Sequence, residues 1–383
     1  MSILLINPPV AKVNEPPAGI ARLAGYLRDH DVDCSCADLN VECMIRLIET
    51  AESENNNDTW SRRSFKNKLR NLDELRTTKL YRQPERYRNK VKELNRVLAC
   101  CGLRSNALLS LSNFDRTEAS QLNSDDLIRE ADHFRENPFF PFFSTILDGL
   151  IEECGPTHIG ISFSYLSQAF AGFAVLGYIR ERYPHIKTVA GGGLITSWMC
   201  GPTWSNPFSR LIDHLISGQG EQPLLALFGR KSETITGRPD YTDFDFSRYL
   251  SPGPILPYAV SDGCYWKKCT FCPDHGRLAR GLRRGLSPRE RRPPAIFHVF
   301  GREPATGTMV RVRKIRDRSR VAGILPSLET NRLRHVETRP GVGLTDRARS
   351  HAQGRPRRCR ATAGDDGRHP PAAAWRGRIR SDR

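Results

Sequence analysis

The sequence predicts an α/β protein built on a doubly wound parallel sheet that carries a helical insert. Three observations support that expectation. Short continuous apolar runs alternate with segments of helical period, and the apolar runs end in small residues or prolines. Residues 1–276 are also close to neutral, with 31 basic and 33 acidic side chains. Strands buried on both faces read as unbroken apolar runs, and strands alternating with helices imply a parallel sheet covered on both sides.

SILLIN, residues 2–7, suits a buried strand stopped by Asn7-Pro8-Pro9. PPAGIARLAGYLRDH, residues 16–30, places Ile20, Leu23, Ala24 and Leu27 at helical spacing, with Pro16 and Pro17 near the helix start. VDCSCADLN, residues 32–40, reads as the next strand, with Val32, Cys34 and Cys36 at alternate positions before Asp38 and Asn40. Residues 41 to about 140 interrupt the alternation with a polar, charge-mixed stretch that includes LDELRTTKLYRQPERYRNKVKELNRVL, an inserted helical segment. The rhythm then resumes with a helix over 143–153, a strand over 157–163, a helix over 168–183 and a strand over 186–193. A short strand and turn in 211–221 and a helix over 224–228 close a Rossmann-like domain of residues 1–235.

Ligands of such sheets sit beyond the carboxyl ends of the strands. The residues there are Asn7-Pro8-Pro9, Ser162-Phe163-Ser164, Gly191-Gly192-Gly193 and Gly218-Gln219-Gly220-Glu221. They are small and expose backbone, which lets a flat, bulky ligand approach the main chain. The plainer alternative is that the glycines only make tight turns. Neither AGGG nor GQGE has the spacing of a dinucleotide fingerprint.

The N-terminus lacks a basic leader segment, and no stretch approaches the roughly 18 apolar residues of a membrane span. A cytoplasmic location is therefore expected, with no membrane partner. Eleven irregularly spaced cysteines then read as reduced thiols rather than a disulfide framework. The net charge of +17 belongs to the tail. Residues 277–383 hold 27 Arg, one Lys and nine acidic residues, a net of +19, against −2 for residues 1–276.

The most specific stretch is CYWKKCTFC, residues 264–272, in a segment of residues 236–276. Cys264, Cys269 and Cys272 can converge on one soft metal centre, and thiolates are the ligands of iron-sulfur clusters. Three thiolates on a cubane leave one iron open to a small cosubstrate. A closed zinc site needs four ligands, and His275 can supply the fourth. On spacing alone both readings stand.

The surroundings favour the first. Arg248 to Pro252, Leu256-Pro257-Tyr258 and Gly263 through Cys272 resemble the start of the radical SAM domain in cobalamin-binding radical SAM proteins. The commonest cysteine spacing there is three and two, and here it is four and two. LLINPP, PAGIARLAGYL, GISFSY, AGGG and GQGEQPLLAL are similar to the cobalamin-binding domain of that family. No DxHxxG segment is present, so no histidine ligand to cobalt is implied, and His30 and His185 read as surface helix or turn residues. The resemblance implies that Cys264, Cys269 and Cys272 hold a 4Fe-4S cluster whose open iron chelates S-adenosylmethionine. Cluster-driven cleavage would then give a radical for methyl transfer or rearrangement. It also implies a bound cobalamin, a small-molecule or peptide substrate, an electron donor such as flavodoxin or ferredoxin, and Phe271 bordering the adenine. A plain core aromatic is the other reading of Phe271.

A radical SAM (β/α) barrel should continue past Cys272 in strand-helix units. HGRLARGLRRGLSPRERRPPAIF shows no such rhythm, and tyrosine vanishes from residues 277–383. A shift towards Arg, Pro, Gly and Ala is what a GC-rich gene gives when read out of frame. A frameshift near 277–285, leaving a disordered basic tail and an inactive chain, is therefore the expectation. The rival is an arm that binds nucleic acid by neutralising phosphates, though a nucleic-acid partner is not favoured.

Overall fold

The computed structural model describes residues 2–53, 58–201, 204–234 and 237–258, together with the backbone of 309–312. All of them fall in one compact unit, residues 1–315. Cys264, Cys269, Phe271, Cys272, His275 and the tail expected over 277–383 lie outside the described residues, apart from that short strand.

β1 (Ser2–Asn7) is followed by α1 (Ala18–Arg28) and β2 (Asp33–Asp38). The chain then forms α2 (Leu39–Thr50), α3 (Thr59–Leu75), α4 (Thr78–Tyr81) and α5 (Pro84–Leu103). Next come an antiparallel pair, β3 (Ala107–Leu109) and β4 (Phe114–Arg116), then α6 (Ser124–Asp132) and α7 (Phe140–Cys154). β5 (His158–Ser162), α8 (Ala169–Arg182), β6 (Lys187–Gly191), α9 (Gly193–Met199), β7 (His214–Leu215) and α10 (Glu221–Leu227) complete the alternation. β8 (Ile255–Tyr258) pairs in parallel with β9 (Met309–Val312).

The expected α/β architecture is present as a five-stranded parallel sheet of order β2-β1-β5-β6-β7. Counted within the sheet this is 2-1-3-4-5, and the winding direction reverses between β1 and β5. Right-handed crossovers place α1 on one face and α7 and α8 on the other. α10 returns to pack on α1. β1 lies inside the sheet between β2 and β5, with Ile3 to Ile6 all buried, and Pro8 and Pro9 beyond it cannot extend the ladder.

The insert is not a separate appendage. α2 begins at Leu39, and Leu39, Val41, Met44, Ile45 and Ile48 are buried between β1 and α7, so the first helix after β2 belongs to the sheet layer. The rest is mostly helical but includes the β3–β4 hairpin. α6 packs on α8, whose residues 169–179 are all buried. That explains why AFAGFAVLGYI lacks a polar stripe: sheet and insert cover it from both sides. Phe114, Phe139, Phe143, Phe170 and Phe173 fill the shared core.

The chain after α10 straps back across α1 and β2. Arg28 holds it in place, pairing with Asp240 and Asp243 at 2.5 Å each while donating to the Cys34 carbonyl. The Asp240 amide donates to the Ala21 carbonyl at 2.9 Å. Gly25 permits this close approach, since a Cβ there would lie 1.8 Å from the Arg238 carbonyl oxygen.

Candidate functional site

The reversal between β1 and β5 brings their carboxyl ends side by side. A cleft of about 270 Å³ opens there. Asn7 ends β1 on its floor, Ser162 and Ser164 follow β5, and Ala18 and Gly19 present the first turn of α1. Lys12 and Glu15, paired at 2.6 Å, stand on the rim with Tyr165. Pro257 of β8 also lines the cleft. α1 starts after Pro17 with no side-chain cap, and its first residues, Ala18, Gly19 and Ile20, line the opening.

A buried polar network holds this floor. Asn7 donates to Asp38 at 2.8 Å, and the Tyr249 hydroxyl donates to the other Asp38 oxygen at 2.9 Å. Gln168 donates to the Asn7 side-chain oxygen and to the Pro8 carbonyl, and its own oxygen accepts from the amides of Ser164 and Tyr165. Asn40 accepts from the Ala11 amide and donates to the Lys12 carbonyl. The loops after β1 and β5 are thus fixed before any ligand arrives. Burial pushes the Asp38 carboxyl up to about 6, against the pull of hydrogen bonds from Asn7, Tyr249 and the Val41 and Asn40 amides. Burial beside Asp38 pushes the Tyr249 phenol far up, so it remains a donor.

Of the residues expected at the strand ends, Ser162 and Ser164 line the cleft. Pro8 and Pro9 are buried beside it, and the Phe163 ring is fully buried against Phe173, so Phe163 offers only backbone to a ligand. Gly191 ends β6, Gly192 follows it and Gly193 opens α9, close to the backbones of Ile216, Phe163 and Ser164 respectively. Gly218 has open space around it, and Gly220 rests on Leu23. Glu221 is fully buried, paired with Arg22 at 2.7 Å between α10 and α1. Asn7, also expected at a strand end, lines the cleft, whereas Gln168, Asp38 and Tyr249 escaped the reading of strand ends as ligand contacts. His185 is exposed in a turn, and half-buried His30 bonds the Tyr26 carbonyl, as expected of surface positions.

No family model matches this chain, and no curated protein or solved structure is similar enough to be matched to it. Among the described residues there is no group of three or more His, Cys, Asp or Glu able to hold a metal ion, and no helix long and apolar enough to cross a membrane. His158 and His214 begin β5 and β7, at the sheet edge opposite the cleft. Among the described residues the cleft therefore offers hydroxyls, one amide, the Lys12–Glu15 ion pair, backbone groups and proline rings.

Proposed function

We propose that this chain derives from a cobalamin-dependent radical SAM enzyme, with cobalamin lying against the switch-point cleft and a 4Fe-4S cluster held by Cys264, Cys269 and Cys272. One observation carries the reading. Pro257 forms part of the cleft wall, and Cys264 follows it by seven residues. At about 3.3 Å per extended residue the cluster motif is tethered within roughly 23 Å of the cleft. A corrin site and a cluster site that must act on one substrate require such proximity.

The lining fits the group. Ser162, Ser164 and the Asn7 amide can meet the corrin's amide side chains, and the uncapped α1 terminus suits the phosphate of its nucleotide tail. The cofactors would supply the radical and the one-carbon or rearrangement chemistry when bound. The chain's own residues bind and orient. With the barrel replaced by the arginine-rich stretch, the chain itself would lack a substrate pocket, and the activity would belong to the frame-restored protein. The fold after restoration would be a radical SAM barrel, and its partners a reducing protein and a small-molecule or peptide substrate.

Anaerobic reconstitution of the full chain with iron and sulfide tests the cluster. Broad absorption near ~400 nm is expected, together with its loss in Cys264→Ala, Cys269→Ala or Cys272→Ala. Bound zinc that depends on His275, with no such absorption, would refute it. The cleft is tested separately by Gly19→Leu. Gly19 is exposed in the first turn of α1, and a Cβ there meets only the Ser162 hydroxyl at 3.9 Å. Leucine should preserve stability or add up to ~1 kcal/mol through helix propensity. It should also weaken hydroxocobalamin binding, followed by absorbance titration, about tenfold or more; unchanged affinity would place the corrin elsewhere.

A further inference from the structure

After α10 the chain runs as a strap over residues 237–251 and then enters β8, whose Pro257 lines the cleft. The first half of the strap is held by Arg28 through Asp240 and Asp243. The second half, residues 248–251, is held twice. One grip comes from the sheet domain. Glu42 of α2 takes the Arg248 guanidinium with both carboxylate oxygens, at 3.0 and 3.1 Å. Tyr249 reaches Asp38, and the Leu250 amide donates to the Val13 carbonyl at 2.8 Å.

The other grip comes from the insert. α3 ends at Leu75 and α4 covers only Thr78–Tyr81, so one short corner carries both Arg76 and Tyr81. Arg76 donates to the Arg248 carbonyl at 2.9 Å, and the Tyr81 hydroxyl donates to the Leu250 carbonyl at 3.1 Å. Thr77 between them donates to the Glu74 carbonyl, which closes the turn. Tyr87 of α5 steadies the Tyr81 ring, with 5.0 Å between ring centres.

Arg76 stands where a guanidinium is poorly accommodated. Burial pulls it below the ordinary arginine range, and the neighbouring Arg248 charge adds to that. Its ion pair with exposed Asp73 is long, at 3.8 Å, and among the described residues its buried Nε has no hydrogen-bond partner. Packing alone would be better served by an apolar side chain, because an unpaired buried donor is destabilising. What the guanidinium gains is the Arg248 carbonyl. Both contacts of the corner go to main-chain oxygens, so they fix the path of the strap rather than one side chain on it. We propose that the helical insert acts as a bracket: Arg76 and Tyr81 clamp the backbone of residues 248–251 and thereby set where β8 enters at the cleft wall. The Tyr241 hydroxyl, donating to the Pro257 carbonyl at 3.2 Å, ties the same wall to the first half of the strap. The bracket holds whatever ligand the cleft takes.

Hydrogen–deuterium exchange of the full chain, read peptide by peptide, tests this. Arg76→Met/Tyr81→Phe keeps most of the bulk of both side chains and removes both donors. The amides of residues 248–251 should then exchange about tenfold faster than in wild type, while those of β1 and β5 exchange as before. Tyr81→Phe alone removes a single oxygen and should accelerate the same residues about threefold. Unchanged exchange over 248–251 in both variants would overturn the proposal, since the sheet domain alone would then hold the strap. So would equal acceleration over 248–251, β1 and β5, which would make Arg76 and Tyr81 contributors to global stability and nothing more.

Discussion

Replacing Gly192 with valine is expected to destabilise the fold by roughly 4 kcal/mol, about the upper range for single substitutions. Gly192 has φ 100° and ψ 178°, a conformation open in practice only to glycine. A Cβ there would sit 2.4 Å from the Phe163 carbonyl oxygen and 2.8 Å from its carbon, both backbone atoms without freedom to retreat. The damage would reach three strand ends. The Phe163 carbonyl accepts from the Leu194 amide at 2.9 Å, the Gly192 carbonyl accepts from the Thr196 hydroxyl at 2.8 Å, and that hydroxyl accepts from the Gly218 amide at 2.9 Å. Gly193→Ala serves as the control. Its new methyl would meet only the Ser164 carbonyl at 3.6 Å, an ordinary contact, so its urea midpoint should match wild type or exceed it slightly. Equal midpoints for Gly192→Val and Gly193→Ala would mean that neither glycine is structurally required.

That contrast shows what the sequence could and could not convey. SILLIN, GISF and KTVAG read correctly as strands because central parallel strands are apolar on both faces and end abruptly in Pro or Gly. α9 was illegible, since AGGG reads as a strand's end while its last glycine already opens a helix. The β3–β4 hairpin consists of two three-residue strands, too short to show a period of two. Ser162 and Ser164 were found at the cleft because a strand end marks its own neighbourhood. Gln168, Asp38 and Tyr249 were not, because the bonds that give them meaning span 161, 31 and 211 residues. A buried Gln opening an apolar helix was the one available hint. The insert's grip on the strap was hidden by the same logic, since the bonds of Arg76 and Tyr81 span 172 and 169 residues.

The second large effect is set by Asp38, and its sign depends on pH. Its carboxyl rises from 3.8 to about 6 in the folded chain because burial outweighs the donors around it. A folded-state value above the unfolded one means that the native chain holds the proton more tightly. The contribution to stability is therefore complete below pH ~4 and fades as pH rises through about 6, a loss of about 3 kcal/mol at neutral pH. Asp38→Asn is close in shape to the protonated acid and cannot ionise. It should match wild type near pH 4, and at pH 7.5 it should be as stable or up to ~3 kcal/mol more stable, with a flatter profile. Asp38→Ala should behave differently. It leaves the Asn7 amide and the Tyr249 hydroxyl buried without their acceptor, which costs about 2–4 kcal/mol at either pH. Urea unfolding of the three proteins at pH 4.5 and 7.5 separates these outcomes. A wild-type midpoint that increases across that interval relative to Asp38→Asn would mean that the donors outweigh burial and that the carboxylate is held ionised behind the cleft.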